Sequence, residues 1–502
     1  MGANPEIIEL TADVSGSPYY SRDMAPVPAA GRKWGLKDIA ALWVSMAACV
    51  TTYTLASSFI NGGMNWWQAV LTIFLGNVIV LIPMVLNAHA GTRYGIPFPV
   101  YCRASFGLLG ANVPALLRAL VACGWFGIQT WIGGWAIYKL IEVIWPGIGT
   151  LPQLLPAFVG LNTGEFVCFM LFWAMNVWIV LRGMDSIKFL ETWGSPFLLA
   201  VGAALFIWAA VRAGGLGPML QNPSGSAVGR LGGLGSVFGA GLTSAVAFWG
   251  TMALSIPDFS RYARSQRDQV IGQAVGLPAT MALFAFIGAA VTNATVVIFG
   301  TRIADPVALL ARIGGPLMIM LSMAGLVIAT LTTNIAANIV APANGFSNLA
   351  PHKITFKQGA MITAVIGILM MPWRLYNDAA AYIFTWLIGY GALLGPVAGI
   401  MIVDYFFVRR GELTVDDLYK RNGVYEYTLG FNPIAILALL LGVVPSLPGF
   451  LAALRGVSLH GPFGTIYNWA WFVGFLLSAV IYVVAMRVQS GSTEQGAVRV
   501  GP

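Results

Sequence analysis

Between Ile313 and His352 the chain carries no Asp, Glu, Lys or Arg. A charge-free run of that length crosses about 30 Å of hydrocarbon at about 1.5 Å per residue. In hydrocarbon every unpaired backbone amide or carbonyl is costly, so such a run must be helical or part of a closed barrel. Similar windows recur from Ile39 to the C-terminal region, and only 9% of the 502 residues are charged, against roughly 25% in a soluble domain. The chain therefore reads as an all-α polytopic membrane protein. Twelve spans are predicted, near 39 to 60, 66 to 88, 112 to 138, 163 to 181, 192 to 211, 236 to 256, 270 to 299, 316 to 343, 358 to 373, 379 to 403, 432 to 452 and 466 to 486. The fourth and ninth are the shortest, bracketed by Glu165 and Arg182 and by Lys357 and Arg374.

Cytoplasmic segments carry the excess of Lys and Arg. With the N terminus inside, most of the 27 Lys and Arg fall on that side, which predicts two cytoplasmic termini in a plasma-membrane protein. The net charge of +8 is this bias, and it does not mark a nucleic-acid surface. Residues 1–37 read as a cytoplasmic tail whose first 30 residues are mobile, 38–487 as the transmembrane domain and 488–502 as a second cytoplasmic tail. No signal-peptide pattern opens the chain. Cys49, Cys102, Cys123 and Cys168 lie in or beside spans without a C-x-x-C pair, so neither a disulfide framework nor a zinc site is indicated.

The charge-free window holds Leu326-Val327-Ile328-Ala329-Thr330-Leu331-Thr332-Thr333-Asn334-Ile335-Ala336-Ala337-Asn338. Its hydroxyls and carboxamides need partners, and such clusters either line a site or hold helices together. Span one is similarly polar, with Ser45, Cys49, Thr51, Thr52, Tyr53 and Thr54 at its middle. Transporters often break a helix at such a point to free carbonyls and amides for ligands, although no Gly or Pro marks a break here. In span three, Trp125 and Gln129 stand one turn apart on one face, beside Gly124 and Gly127. Span six carries Phe248-Trp249-Gly250 and ends in Ser255-Ile256-Pro257-Asp258-Phe259, a plausible interruption or a simple kink. Spans eleven and twelve lack a polar cluster and read as peripheral.

Several chemistries are missing. No Lys follows a Gly, which excludes a P-loop, and no HExxH exists. His89, His352 and His460 are isolated. Asp258, Asp378 and Asp404 lie near span ends, so no ionisable side chain is expected well inside the bundle, and a cargo should be neutral. Thr332 and Thr333 with the Ala329 carbonyl offer neutral oxygens to a monovalent cation. Gln129 and Asn338 offer donor and acceptor groups that match the edge of a cyclic amide or ureide, and aromatic faces suit its flat ring.

Asn87-Ala88-His89-Ala90-Gly91-Thr92-Arg93-Tyr94-Gly95-Ile96-Pro97-Phe98-Pro99, read as a connection in which Pro97 and Pro99 hold an extended path, resembles a stretch of the nucleobase:cation symporter-1 family. So do Trp125-Phe126-Gly127-Ile128-Gln129-Thr130-Trp131, Ser255-Ile256-Pro257-Asp258-Phe259, Thr333-Asn334-Ile335-Ala336-Ala337-Asn338, Met371-Pro372-Trp373 and Gly395-Pro396-Val397-Ala398-Gly399-Ile400-Met401-Ile402-Val403-Asp404-Tyr405. The resemblance covers nearly all of the chain outside its tails, and within the family the chain looks like the bacterial hydantoin and allantoin transporters. It implies a five-plus-five inverted repeat of the leucine-transporter type, with repeats near 38–213 and 236–405 and two extra helices near 432–487.

It further implies a ring held between Trp125 and Trp249, with Phe248 adjoining, and hydrogen-bonded by Gln129 and Asn338. Cys49 stands where some relatives place a carboxamide, which weakens one hydrogen bond. A cation would lie among Ser45, Ala48, Ala329, Thr332 and Thr333, and the retention of both hydroxyls favours co-transported Na+ over H+. Span ten would close over the ring from outside. No cofactor and no enzymatic activity are expected. The expected function is cation-coupled import of a neutral cyclic ureide or nucleobase such as allantoin, hydantoin or uracil. The alternatives are a same-fold amino-acid symporter and a facilitator or channel without coupling.

Overall fold

The computed structural model describes residues 7–182, 184–221, 234–376, 381–457 and 459–498. Helices occupy the charge-free windows, since in lipid a helix alone pairs its backbone within one segment. Among the described residues no β-strand is present, and eight helices are long and apolar enough to cross a bilayer, nine with one bent pair. In chain order the first half comprises α1 (Leu36–Ala47), α2 (Val50–Asn61), α3 (Trp66–Tyr94), α4 (Phe98–Phe106), α5 (Asn112–Ile144), α6 (Thr163–Arg182) and α7 (Met184–Arg212). The second half comprises α8 (Leu234–Phe248), α9 (Gly250–Ser255), α10 (Gln266–Phe299), α11 (Pro316–Asn338), α12 (Val340–Leu349), α13 (Phe356–Leu369) and α14 (Ile388–Val403). Then follow α15 (Pro433–Val443), α16 (Leu447–Leu454) and α17 (Ala470–Val498). The spans expected fifth, sixth and ninth contain the shorter apolar helices Leu199–Arg212, Val237–Phe248 and Phe356–Leu369. Together these helices account for the twelve expected spans.

Burial separates centre from rim. The most apolar window of α5 is 83% buried, whereas those of Pro433–Leu454 and Ala470–Gln489 are 33% buried, which makes spans eleven and twelve peripheral as expected. They still have a mechanical role. A Cβ on Gly395 of α14 would lie 2.6 Å from the Trp471 carbonyl, and one on Gly399 would strike that of Phe475. The glycines of span ten therefore let α17 brace it backbone to backbone.

Three spans are interrupted. Span one bends by 53° between α1 and α2, where Ala48 (φ −77°, ψ 66°) and Cys49 (φ −131°, ψ 163°) leave helical geometry. Neither Gly nor Pro does this. Instead the Ala47 carbonyl, released by the bend, accepts from Thr52 Oγ1 at 2.8 Å and from Cys49 N at 3.0 Å. Span six stops and restarts at Trp249 (φ −104°, ψ 7°), between α8 and α9. Span eight, expected as one run over 316–343, is divided at Ile339 (φ −115°, ψ −44°). Pro342, four residues beyond Asn338, has no N–H to return to the Asn338 carbonyl, so helical bonding lapses at one residue while the span continues from Ile319 to Leu349.

The described part of the N-terminal segment is docked, which corrects its reading as a mobile tail. Arg32 is 4% exposed and donates to the carbonyls of Thr92 at 2.8 Å, Val27 at 2.9 Å and Arg93 at 3.1 Å. Two of these belong to the last turn of α3, whose carbonyls have no amide ahead of them. Trp34 pairs with Tyr262 and Arg264, Asp23 Oδ2 accepts from Phe356 N, and Tyr419 donates to Met24 O. The connections after spans two, six, eight and ten thus gather at one end of the bundle. Asn87–Tyr94 continues α3 and Pro99 sits in the first turn of α4, so the connection after span two is not the extended path expected.

Charge is also more deeply placed than expected. Arg103, Arg118 and Asp258 are each 1% exposed and Asp404 is fully buried; Asp378 lies outside the described residues. Arg103 donates to Leu418 O at 3.0 Å and Asn348 Oδ1 at 2.7 Å. Asp404 accepts from Arg409 Nε at 2.8 Å, Tyr482 OH at 2.8 Å and Ser105 Oγ at 3.1 Å. Asp258, beyond the end of α9, accepts from Phe98 N at 3.1 Å. Burial pushes its carboxyl up to about 6 against the pull of Arg261, the Phe98 amide and Arg118.

A raised carboxyl pKa means that the folded chain holds a proton which the unfolded chain, near about 4, releases. Stability from this group is therefore full below about pH 4 and lost as pH rises to about 6. Asp258→Asn keeps an acceptor for Phe98 N. It is expected to flatten that part of the thermal-stability profile, measured by a dye-based melt; an unchanged slope would show that Asp258 does not set it.

Candidate functional site

The three interruptions converge on one cavity. Cys49 and Thr51 reach it from the bend of span one, and Trp125 and Gln129 from α5. Phe248, Trp249, Thr251 and Met252 come from the break in span six, and Thr333, Ala337 and Asn338 from the end of α11. All six residues expected to bind a ring, Cys49, Trp125, Gln129, Phe248, Trp249 and Asn338, are thus brought together. The helix breaks explain why they can be: an interrupted span exposes backbone and side chains at mid-membrane without opening to lipid.

The aromatic wall is continuous. The Trp125 ring lies 5.3 Å from Phe248, 6.0 Å from Tyr382, 6.1 Å from Trp386 and 6.4 Å from Tyr390, all edge-on. Trp249 is held edge-on by Trp43 at 5.2 Å and by Phe248 at 5.2 Å. Edge contacts leave ring faces available for stacking. Gly124 is required because a Cβ there would strike the Trp386 ring, and at Gly127 it would lie 2.6 Å from the Gly367 carbonyl.

The polar wall has a fixed sense. The Phe126 carbonyl can only accept, and Asn334 Nδ2 points at it from 3.3 Å, with Thr130 Oγ1 and Asn176 Oδ1 each at 3.2 Å. Asn334 Oδ1 therefore faces Asn338, whose Nδ2 donates to it at 3.0 Å. On the opposite side Gln129 Nε2 donates to Thr51 Oγ1 at 3.3 Å, while its Oε1 is buried without a partner. Both amides have an N–H engaged by the protein and a carbonyl oxygen free of it. Cys49 Sγ lies 3.1 Å from Thr51 Oγ1 and 3.3 Å from Thr52 Oγ1, so it supports the hydroxyl that holds Gln129.

The second expected cluster is also assembled. Thr333 Oγ1 lies 3.4 Å from the Ser45 carbonyl and 3.3 Å from that of Ala329, which also accepts from Thr332 Oγ1 at 2.7 Å. Ala48 and Ala329 pack together against Phe284. Ser45 Oγ is fully buried and has no partner. These are neutral oxygens from the bend of span one and from α11, a donor set suited to a monovalent cation. Thr333 belongs to both clusters, so they share a wall.

Sequence reasoning missed several residues here. Tyr382, Trp386 and Tyr390 recur every four residues, a stripe that was legible on span ten. Thr251 and Met252 gave no signal, since only the unwinding at Trp249 turns them inward, whereas Ala337 stands one turn after Thr333 on the same face of α11. Arg118, in the second turn of α5, lies beneath the cavity, with Nε 2.8 Å from the Thr251 carbonyl, although no ionisable side chain was expected inside the bundle.

The chain matches the family of permeases for cytosine/purines, uracil, thiamine and allantoin over residues 26–474. It is 45% identical over 470 residues to the purine-uracil permease NCS1 of Arabidopsis thaliana, covering 92% of this chain and 77% of the relative. It is 40% identical over 473 residues to the allantoin permease of Bacillus subtilis, covering 93% of each. The structure of Mhp1, a nucleobase-cation-symport-1 family transporter in a closed conformation with bromovinylhydantoin bound, superposes with a TM-score of 0.77 at 26% identity, over 94% of this chain and 96% of that one. The five-plus-five inverted repeat of the leucine-transporter type with two added helices is accordingly the fold of this chain. With its interrupted spans, its mid-membrane cavity and these relatives, the chain belongs to the nucleobase:cation symporter-1 family, and it is a permease and not an enzyme.

Proposed function

We propose that the chain imports a neutral cyclic ureide or nucleobase by alternating access, coupled to the entry of Na+. The observation that carries the reading is the shared sense of the two carboxamides. Gln129 Oε1 is buried without a partner, and Asn338 has its Nδ2 engaged by Asn334, so the cargo must bring N–H groups to both. A flat ring with N–H on two edges, such as allantoin, hydantoin or uracil, meets that demand, and Trp125 and Trp249 would hold its faces. The substrates for which the relatives are named, purines, uracil and allantoin, fall in the same class.

Ser45, Ala48, Ala329, Thr332 and Thr333 would hold Na+. Because Thr333 also lines the ring cavity, an ion that fixes it tightens the cargo wall, and linkage makes the effect reciprocal. The basic bias of the connections that gather around the N-terminal segment supports a multi-pass plasma-membrane protein with both termini cytoplasmic. Repeats near 38–213 and 236–405 would rock about the fixed site, with Tyr382, Trp386 and Tyr390 of span ten covering Trp125 from outside.

Three measurements test this. Titrating hydantoin, allantoin, uracil and cytosine against intrinsic tryptophan fluorescence, with and without sodium, is expected to give quenching by one ring that sodium tightens; Trp125→Phe and Trp249→Phe separate site signal from background. A pH effect in place of a sodium effect would replace Na+ by H+, and no quenching by any ring would remove the cargo class. Asn338→Ala is expected to weaken the ring by roughly 100-fold or more, since a buried N–H then has no acceptor, with helicity unchanged by circular dichroism. Normal affinity in that variant would sink the assignment. Finally, Thr333→Val is expected to abolish the sodium-dependent tightening, roughly 5- to 150-fold in coupled sites, while affinity without sodium stays within a few-fold.

A further inference from the structure

Arg118 is a charged side chain in the middle of the fold, 1% exposed, and nothing in the ring or cation site uses it. It stands seven residues before Trp125 on α5, hence on the same face and about 10.5 Å nearer the end where the N-terminal segment docks. Nε donates to the Thr251 carbonyl at 2.8 Å and to Ser255 Oγ at 3.1 Å, and Nη2 reaches the Ala337 carbonyl at 3.4 Å. Thr251 and Ala337 are themselves walls of the ring cavity. One side chain of span three thus ties the inner half of span six to the last turn of α11, directly under the cargo chamber.

The choice of arginine there is informative. None of the ion pairs among the described residues includes Arg118, and its Nη1 has no partner. With no carboxylate in ion-pair contact, this buried cation is held by the carbonyl dipoles of Thr251 and Ala337 and the Ser255 hydroxyl, the Ala337 carbonyl lying at a helix end where positive charge is favoured, while Asp258 attracts it from farther off. Water competes strongly for such a charge. Three acceptors therefore favour a closed floor, and hydration of the guanidinium favours an open one. Opposed tendencies on one group give a two-state element.

We propose that Arg118 is the inner latch of the cargo chamber, a positioning residue that holds span six against spans three and eight while the floor is closed and releases them when the path opens toward the N-terminal face. The proposal rests on the alternating-access reading, but its test reads the floor itself. Arg118→Lys keeps the charge while a single ammonium cannot span the Thr251 and Ala337 carbonyls together, so the open floor gains. Arg118→Gln keeps a neutral donor and removes the hydration drive, so the closed floor gains.

Hydrogen exchange by mass spectrometry on the full chain in detergent, without cargo, is expected to move in opposite directions in segments 250–260 and 335–349. Exchange should be at least about 3-fold faster in Arg118→Lys and at least about 3-fold slower in Arg118→Gln, because local opening sets the rate. Tryptophan quenching should leave ring affinity within about 3-fold of wild type in both, with uptake into proteoliposomes reduced in both. Exchange that shifts the same way in the two variants, spreads over the whole chain or does not change overturns the latch and leaves Arg118 a packing residue. A wild-type chain that binds none of the rings defeats the cargo reading, and the exchange result still decides the latch.

Discussion

The structure depends on where the released backbone carbonyls find partners. Breaking a helix inside a membrane frees carbonyls that hydrocarbon cannot satisfy, and each of the three breaks is answered by a nearby side chain. Thr52 takes the Ala47 carbonyl at the bend of span one, Tyr390 takes that of Ala247 before the break at Trp249, and Arg118 takes that of Ala337 before the break at Ile339. The polar side chains that look wasteful in an apolar chain are the condition for having breaks at all. Once the breaks exist, they bring side chains from four spans to one point.

The same economy shapes recognition. The carboxamides lining the cavity are not free rotors. Asn338 is aligned by Asn334, which is aligned by the Phe126 carbonyl, and Asn176 on α6 closes the chain of contacts from behind. A contact outside the cavity thereby decides which atom of Asn338 faces the cavity. The two polar clusters meet at Thr333, a single hydroxyl residue common to both, which is the shortest possible connection between the sites proposed for ion and ring.

Much of this was legible in the sequence. Charge-free windows gave the spans, and the density of hydroxyls and amides around Ser45 and Thr333 marked the site, because polar groups in lipid need a reason to be there. Residues on unbroken α5 were easiest, since helical spacing alone puts Trp125 and Gln129 on one face. Residues beyond a break, such as Thr251 and Met252, were not legible, because the rotation introduced at Trp249 cannot be read from spacing. Arg118 and Asp404 were misjudged for another reason: distance from a span end along the chain is no guide to depth when α4 and the N-terminal segment cover that end. Residues 7–37 show the same effect: a segment polar in composition binds carbonyl-rich helix ends and anchors itself with the few apolar side chains it has, Val14, Tyr19 and Met24.

The docking of that segment carries one consequence for its own behaviour. Ile8 N pairs with the Arg93 carbonyl and Val27 N with that of Gly95, so both ends of the intervening stretch are pinned beside each other at the end of α3. The stretch between them is a closed loop and not a free arm. If its middle, from Ser17 to Met24, lets go of the loops around His352 and Tyr419, the ends still hold it to a small volume. Re-forming those contacts then demands far less chain entropy than recapturing an open terminus would.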